Sequence, residues 1–305
     1  MMHTDERRKL CSLLAAVVLL AVLQLPVAAR SEDGQALLRE LEERVELMRV
    51  QGEYEEALVV AEEFLKVAEE SPDALPFDAG DGEWLVQAMR TASNLPPAER
   101  RELTVVDSLG PYLFACWREG RVREAIPIAE RVVEAYRRTF GGQHPEVARA
   151  LNNLAGMLWA MGEYADAEVR AREGLGIYRA TLGYEHPDVA FNLDYLAALR
   201  SAQGDYAEAV LFERQSVALQ RKLLGDEHQL VAAGFSNLGI LLEAQGDYAG
   251  AEPLLRRALA MYRSLLGPED RRVALGLSNL AGLVLAQGDD IGAATLYNEA
   301  LKIWQ

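Results

Sequence analysis

Apolar positions in this chain follow a helical rhythm that stops and restarts at fixed points. Within residues 146–182, Val147, Leu151, Leu154, Leu158 and Met161 recur at steps of three and four, the spacing of one helical face. Gly162 interrupts the run, because glycine takes the left-handed backbone that closes a helix. A second run follows with Ala167, Ala171, Leu175, Tyr178 and Leu182. His144-Pro145-Glu146 opens the pair, with proline in the first turn and an acid near the positive end of the helix dipole. The pattern predicts a hairpin of two helices, and it is helical throughout.

The hairpin recurs. Gly162-Glu163-Tyr164, Gly204-Asp205-Tyr206, Gly246-Asp247-Tyr248 and Gly288-Asp289-Asp290 lie 42 residues apart. Each is followed by a small residue in one slot: Ala167, Ala209, Ala251 and Ala293. His144, His186, His228 and then Asp270 keep the same beat. A fixed period of this length predicts an all-α solenoid, in which each unit packs on its neighbours. The small slots, including Ala155, Ala197, Gly239 and Ala281, let paired helices approach closely and read as core.

Upstream the beat weakens. Gly120 lies 42 residues before Gly162, but the helix preceding it contains Gly110-Pro111 and is expected to be kinked or short. Gly52-Glu53-Tyr54 marks a degenerate hairpin over 31–70, expected to be loosely attached. An insert over 71–97, punctuated by Pro72, Pro76, Gly80, Gly82, Pro96 and Pro97, is expected to carry one short helix near Trp84 to Arg90. The array proper is placed at 98–305, about five repeats with the first degenerate and the last truncated.

Asn153-Leu154-Ala155, Gly162-Glu163-Tyr164 and Ala167 resemble the tetratricopeptide repeat, whose signature is N-L-G/A, then G-x-Y, then A. The 42-residue spacing, with Leu151-Asn152-Asn153-Leu154-Ala155 and Leu266-Gly267, resembles the kinesin light chain subtype. The resemblance implies a right-handed superhelical array whose first helices line a concave groove. It places Asn153, Tyr195, Asn237 and Asn279 in one groove column, and Asn152, Asp194, Ser236 and Ser278 in the column beside it. A carboxamide both donates and accepts hydrogen bonds, so such a column can grip the backbone of an extended peptide. Asn237 and Asn279 are expected to contribute to peptide binding and to be dispensable for stability. Trp117 and Trp159 share a further slot and could join as an aromatic binding patch. Arg149 is one of the few basic groove residues, with Arg118 and Arg200, so the carboxylate clamp of chaperone-binding relatives is not recognisable.

Bulk properties narrow the partner. The formal charge of −16 disfavours nucleic acid and anionic membranes and suggests a basic or neutral protein partner. Arg7-Arg8-Lys9, the apolar run from Leu10 to Leu25 and the small residues Val27 and Ala29 predict a cleavable signal peptide over 1–29, hence an exported protein, periplasmic or secreted, with an uncleaved signal anchor as the alternative. With Cys11 removed in that leader, Cys116 has no second cysteine and is expected to be buried as a free thiol.

Catalytic and cofactor signatures are missing: the chain holds no HExxH, no glycine-rich phosphate loop before a lysine and no Ser/His/Asp set. The histidines, one unit apart at ~10 Å, are too far from each other to share an ion and read as turn residues. The expectation is a non-enzymatic scaffold without metal or cofactor, binding an extended or helical peptide segment. Two alternatives stand beside it. One is a self-assembling module acting through the last helix, where Ile303 and Trp304 lack a covering unit. The other is the repeat segment of a longer protein whose activity lies elsewhere.

Overall fold

The computed structural model describes residues 32–71, 74–75 and 77–305, so the expected leader over 1–29 lies outside the described residues. Every regular element among the described residues is an α-helix. The chain forms two compact units, whose described parts are residues 32–184 and 185–305. Each is a run of stacked helical hairpins, the all-α solenoid architecture that the period implies.

The first unit contains α1 (Glu32–Gln51), α2 (Tyr54–Glu70), α3 (Asp78–Ser93), α4 (Pro97–Asp107), α5 (Gly110–Arg118), α6 (Val122–Phe140), α7 (Pro145–Ala160) and α8 (Tyr164–Thr181). Helices α1 and α2 pair, α3 lies on α2, and α4 packs against α1 and α6; α5 packs on α6, α6 on α7 and α7 on α8. The second contains α9 (Pro187–Ala202), α10 (Tyr206–Leu224), α11 (Gln229–Gln245), α12 (Tyr248–Leu266), α13 (Arg271–Ala286) and α14 (Asp290–Trp304), each packed on its successor.

Both turns of the hairpin rest on glycine. From Gly120 to Gly288, glycines with φ between 74° and 91° recur at 120, 141, 162, 183, 204, 225, 246, 267 and 288, one every 21 residues. An L side chain there would meet the following carbonyl, so this backbone is nearly reserved for glycine. The turn inside each hairpin ends its first helix with a six-to-one bond, such as Glu163 N to Leu158 O at 2.9 Å and Asp247 N to Leu242 O at 2.9 Å. The residue after that glycine begins the next helix: Asp205, Asp247 and Asp289 each accept from the amide three residues on, at 2.9–3.1 Å.

The small-residue slots also follow packing. A Cβ on Gly239 would lie 2.7 Å from the Leu255 side chain, which fills the space left open by the glycine. In the hairpin before the boundary between the units, the equivalent pair is Ala155 and Ala171, both fully buried. Here glycine compensates for a larger partner.

Three upstream features differ from the sequence pattern. The insert helix runs the full length Asp78–Ser93, because Gly82 is a close-approach residue and not a breaker: its Cβ would stand 3.0 Å from the Leu65 Cα. Asp78 anchors its start, with Oδ2 accepting from Leu75 N at 2.6 Å and from Gln35 Nε2 at 2.9 Å. The helix expected around Gly110-Pro111 is two helices, α4 and α5, parted at Ser108 and Leu109. Proline clashes with the carbonyl four residues back, and α4 ends there, at Asp107.

The third difference is the attachment of the first hairpin. Arg49 on α1 is 2% exposed and reaches Asp107 at 3.2 Å and Glu146 at 3.2 Å, as well as Glu46 at 3.2 Å on its own helix. The hairpin of α1 and α2 is therefore tied to α4 and α7 by a buried ion network. Replacing Arg49 by methionine leaves Asp107 buried without its cation, which costs about 3–5 kcal/mol. Urea unfolding followed by circular dichroism should show that loss, and Arg49→Met with Asp107→Leu should recover a large part of it. An unchanged midpoint in Arg49→Met would show that the network does not anchor the hairpin.

Candidate functional site

The histidine series consists of helix caps. His144, His186 and His228 adopt extended backbone just before α7, α9 and α11. Their Nδ1 atoms accept from the amides of Glu146 at 3.2 Å, Asp188 at 3.1 Å and Leu230 at 3.2 Å. Asp270 in the same slot accepts from Arg272 N at 2.8 Å, which shows one role filled by two residue types. Only a neutral imidazole offers that lone pair. Burial lowers the His144 pKa to about 4, so its cap stays intact at neutral pH.

In the first unit, the break between α4 and α5 opens a small cleft of about 60 Å³, open to solvent on one side. Val106, Leu113 and Val132 give it an apolar floor, while Glu46, Arg149 and Asn153 provide polar groups. Asp107 and Tyr136 join this lining to the Arg49 network. Asp107 accepts from Tyr136 Oη at 2.8 Å, from Tyr54 Oη at 3.0 Å and from Arg49 Nη2 at 3.2 Å.

Burial pushes the Asp107 carboxyl up, against the pull of Arg49. Burial would raise Glu146 as well, yet Arg149 and Arg49 together hold it well below the usual carboxylate range. Burial also raises the phenols of Tyr54 and Tyr136, which stay neutral and act as donors. The network is thus a rigid, charged wall, and α7 presents Arg149 and Asn153 beside it.

The predicted groove residues divide by burial. Asn152, Asn153 and Trp117 are half-buried and Arg149 is exposed, whereas Trp159 is buried. Trp117 stacks on Phe114 with ring centroids 6.2 Å apart. In the second unit Asp194, Asn237 and Ser278 are half-buried, while Tyr195, Ser236 and Asn279 lie in the interior. Asn279 spends its Nδ2 on Ser236 Oγ at 2.9 Å, and Ser278 Oγ bonds Ala274 O at 2.9 Å. The structure brings Arg149 and Asn153 to one cleft. In the second unit the column is partly absorbed into helix packing. Cys116 is buried and free, as its apolar neighbours suggest.

Sequence reasoning passed over two polar clusters. Arg49 follows Leu41 and Val45 at steps of four on the buried face of α1, so a charge in an apolar stripe was the available signal. Glu213, 2% exposed, occupies the slot held elsewhere by Ala171, Leu255 and Tyr297. It faces Asp194 and lies beside the Asn237 side chain. Burial pushes both carboxyls up, Asp194 to about 7.

Asn279→Ala is expected to lower stability by about 1–2 kcal/mol, because Ser236 then loses a buried partner. Asn153→Ala is expected to change it by less than about 0.5 kcal/mol, as for other positions outside the core. Thermal unfolding of the two variants side by side checks the contrast, and equal losses would contradict the division between buried and cleft-facing amides.

Comparison with known proteins agrees with this architecture. A family model described as tetratricopeptide repeat matches residues 114–180 and 230–305, and a second with the same description matches 193–230. A putative kinesin light chain with nearly identical TPR-like repeats from Podosopora anserina is 27% identical, over 65% of this chain and 94% of that one, with a TM-score of 0.58. BtubC (BKLC) from P. vanneervenii is 20% identical over 80% and 90%, with a TM-score of 0.56. A Rap protein complexed with competence and sporulation factor is 15% identical over 90% and 77%, with a TM-score of 0.56, a likeness of fold. No curated protein matches the chain. The glycine turns, the small-residue slots and these matches together make the chain a member of the tetratricopeptide repeat family, with repeats of the kinesin light chain-like type.

Proposed function

We propose that this chain is an exported, non-enzymatic scaffold that holds an extended or helical segment of a protein partner. Tetratricopeptide repeat proteins are in general non-catalytic interaction scaffolds, and this fold supports binding of a protein partner. The observation that carries the finer reading is the cleft opened by the α4–α5 break. It sets an apolar floor of Val106, Leu113 and Val132 beside the adaptable polar groups Arg149 and Asn153. An apolar pocket with a few convergent polar groups is the usual form of a recognition site. A side chain of the partner fills the pocket while Asn153 bonds its backbone. The net charge of −16 favours encounter with a basic or neutral segment. The basic n-region and apolar run over 1–29 support export.

Selection of a random peptide library on the immobilised chain tests this reading. Enriched peptides are expected to lose about tenfold or more in affinity against Leu113→Asp and Asn153→Ala, measured by fluorescence anisotropy. A library with no enrichment over a blank surface, or peptides indifferent to both variants, would count against the cleft.

A second reading is self-association through α14. Tyr297, Leu301 and Trp304 are 43%, 53% and 47% exposed, although Leu255, Leu259 and Tyr262 at the same positions of α12 are buried beneath α13. Light scattering across a concentration series separates the readings: a strict monomer at high concentration excludes self-association, and a dimer lost in Leu301→Asp establishes it.

A further inference from the structure

The second unit carries two carboxyl groups where the repeat pattern calls for apolar or neutral residues. Glu213 points inward from α10, from a slot filled by Ala171, Leu255 or Tyr297 in other hairpins. Asp194 comes from α9, in the column that holds Asn152, Ser236 and Ser278 elsewhere. Donors around them are too few. Gln220 Nε2 gives one bond to Asp194 Oδ2 at 2.8 Å, and Asn237 on α11 lies beside Glu213. The single hydroxyl proton of Ser216 is spent on Ala190 O at 2.8 Å. Asp194 Oδ1, Glu213 Oε1 and Gln220 Oε1 are all buried without a donor.

Among the described residues, no cation acts on the pair. The groups acting on the pair are Asp194 from α9, Glu213, Ser216 and Gln220 from α10, and Asn237 from α11, with no lysine, arginine or histidine among them. Two bare carboxylates in such a place face both desolvation and mutual repulsion. A single proton removes one charge and supplies the missing donor, as carboxyl pairs do when they share a site.

We propose that Asp194 and Glu213 form a proton-binding pair, which holds at least one proton in the folded unit near neutral pH and makes the α9–α11 packing around Asn237 sensitive to alkaline pH. The sign follows from linkage. Burial raises both carboxyls in the folded state, so above the ordinary carboxylate range of about 4 the folded state binds more protons than the unfolded one. The stability of this unit therefore falls as pH rises. At one proton per molecule, the unfolding equilibrium constant grows tenfold for each pH unit.

Urea unfolding of the full chain from pH 5 to pH 8.5 tests the pair, with pulsed hydrogen exchange at one fixed pH reading the segment 206–245. Wild type is expected to lose up to tenfold in folding equilibrium per pH unit through neutrality. Glu213→Gln keeps the shape and supplies its own amide donor, so it should flatten that slope and unfold at higher urea than wild type at pH 8. Asp194→Asn should flatten it too, and provides the reading if the first variant folds poorly. A wild-type segment whose stability does not fall between pH 6 and 8, or an equal slope in both variants, would overturn the proposal. The measurement requires no partner, so it stands or falls apart from the cleft reading.

Discussion

A two-helix hairpin cannot bury its own faces, and that constraint governs the rest of this molecule. Each hairpin must be covered by the next, so the chain needs turns of fixed geometry and slots of fixed size. The 21-residue glycine series meets the first need. Gly239 facing Leu255 meets the second, by trading volume within one slot pair. Capping completes each unit: His144, His186, His228 and Asp270 bind the first free amides of the helices they precede. Without those bonds each helix would begin with unpaired donors.

Much of this was legible because repetition averages out local ambiguity. Four agreeing units identify the hairpin, its turns and its small slots even where one unit departs. The legible part ends where repetition ends. Gly80 and Gly82 read as loop punctuation, yet Gly82 sits inside α3 because Leu65 leaves no room for a side chain. That contact is tertiary and has no periodic trace. The groove column was legible as a column, but its burial was not. Asn237 and Asn279 share one slot, while only Asn279 is turned to Ser236 and closed over. The histidine role lay within reach, since Asp270 in the same slot is an ordinary capping residue.

The two units place buried charge in opposite ways. In the first, Asp107 and Glu146 surround Arg49 and accept further bonds from two tyrosines and Arg149, so nearly every lone pair is used. In the second, Asp194 has a single amide donor and Glu213 lies beside Asn237, with a buried oxygen of each left without a donor. The first arrangement fixes a geometry, because charge satisfied from several elements tolerates no slippage between them. The second stores a dependence on solvent conditions. Of these acids, Glu213 is the one set in a slot that other hairpins fill with Ala171 or Leu255.

The Arg49 network also sets an order of events for the growing chain. Most contacts in a helical array join neighbours in sequence, and such contacts form quickly. Arg49 and Glu146 are 97 residues apart. The first hairpin therefore leaves the ribosome long before the residue that fastens it has been made. Until α4 and then α7 follow, Arg49 is a charge on the buried face of α1 without its distant counter-ions. Asp107 on α4 is the first distant partner to be made, and the attachment is complete only once α7 supplies Glu146.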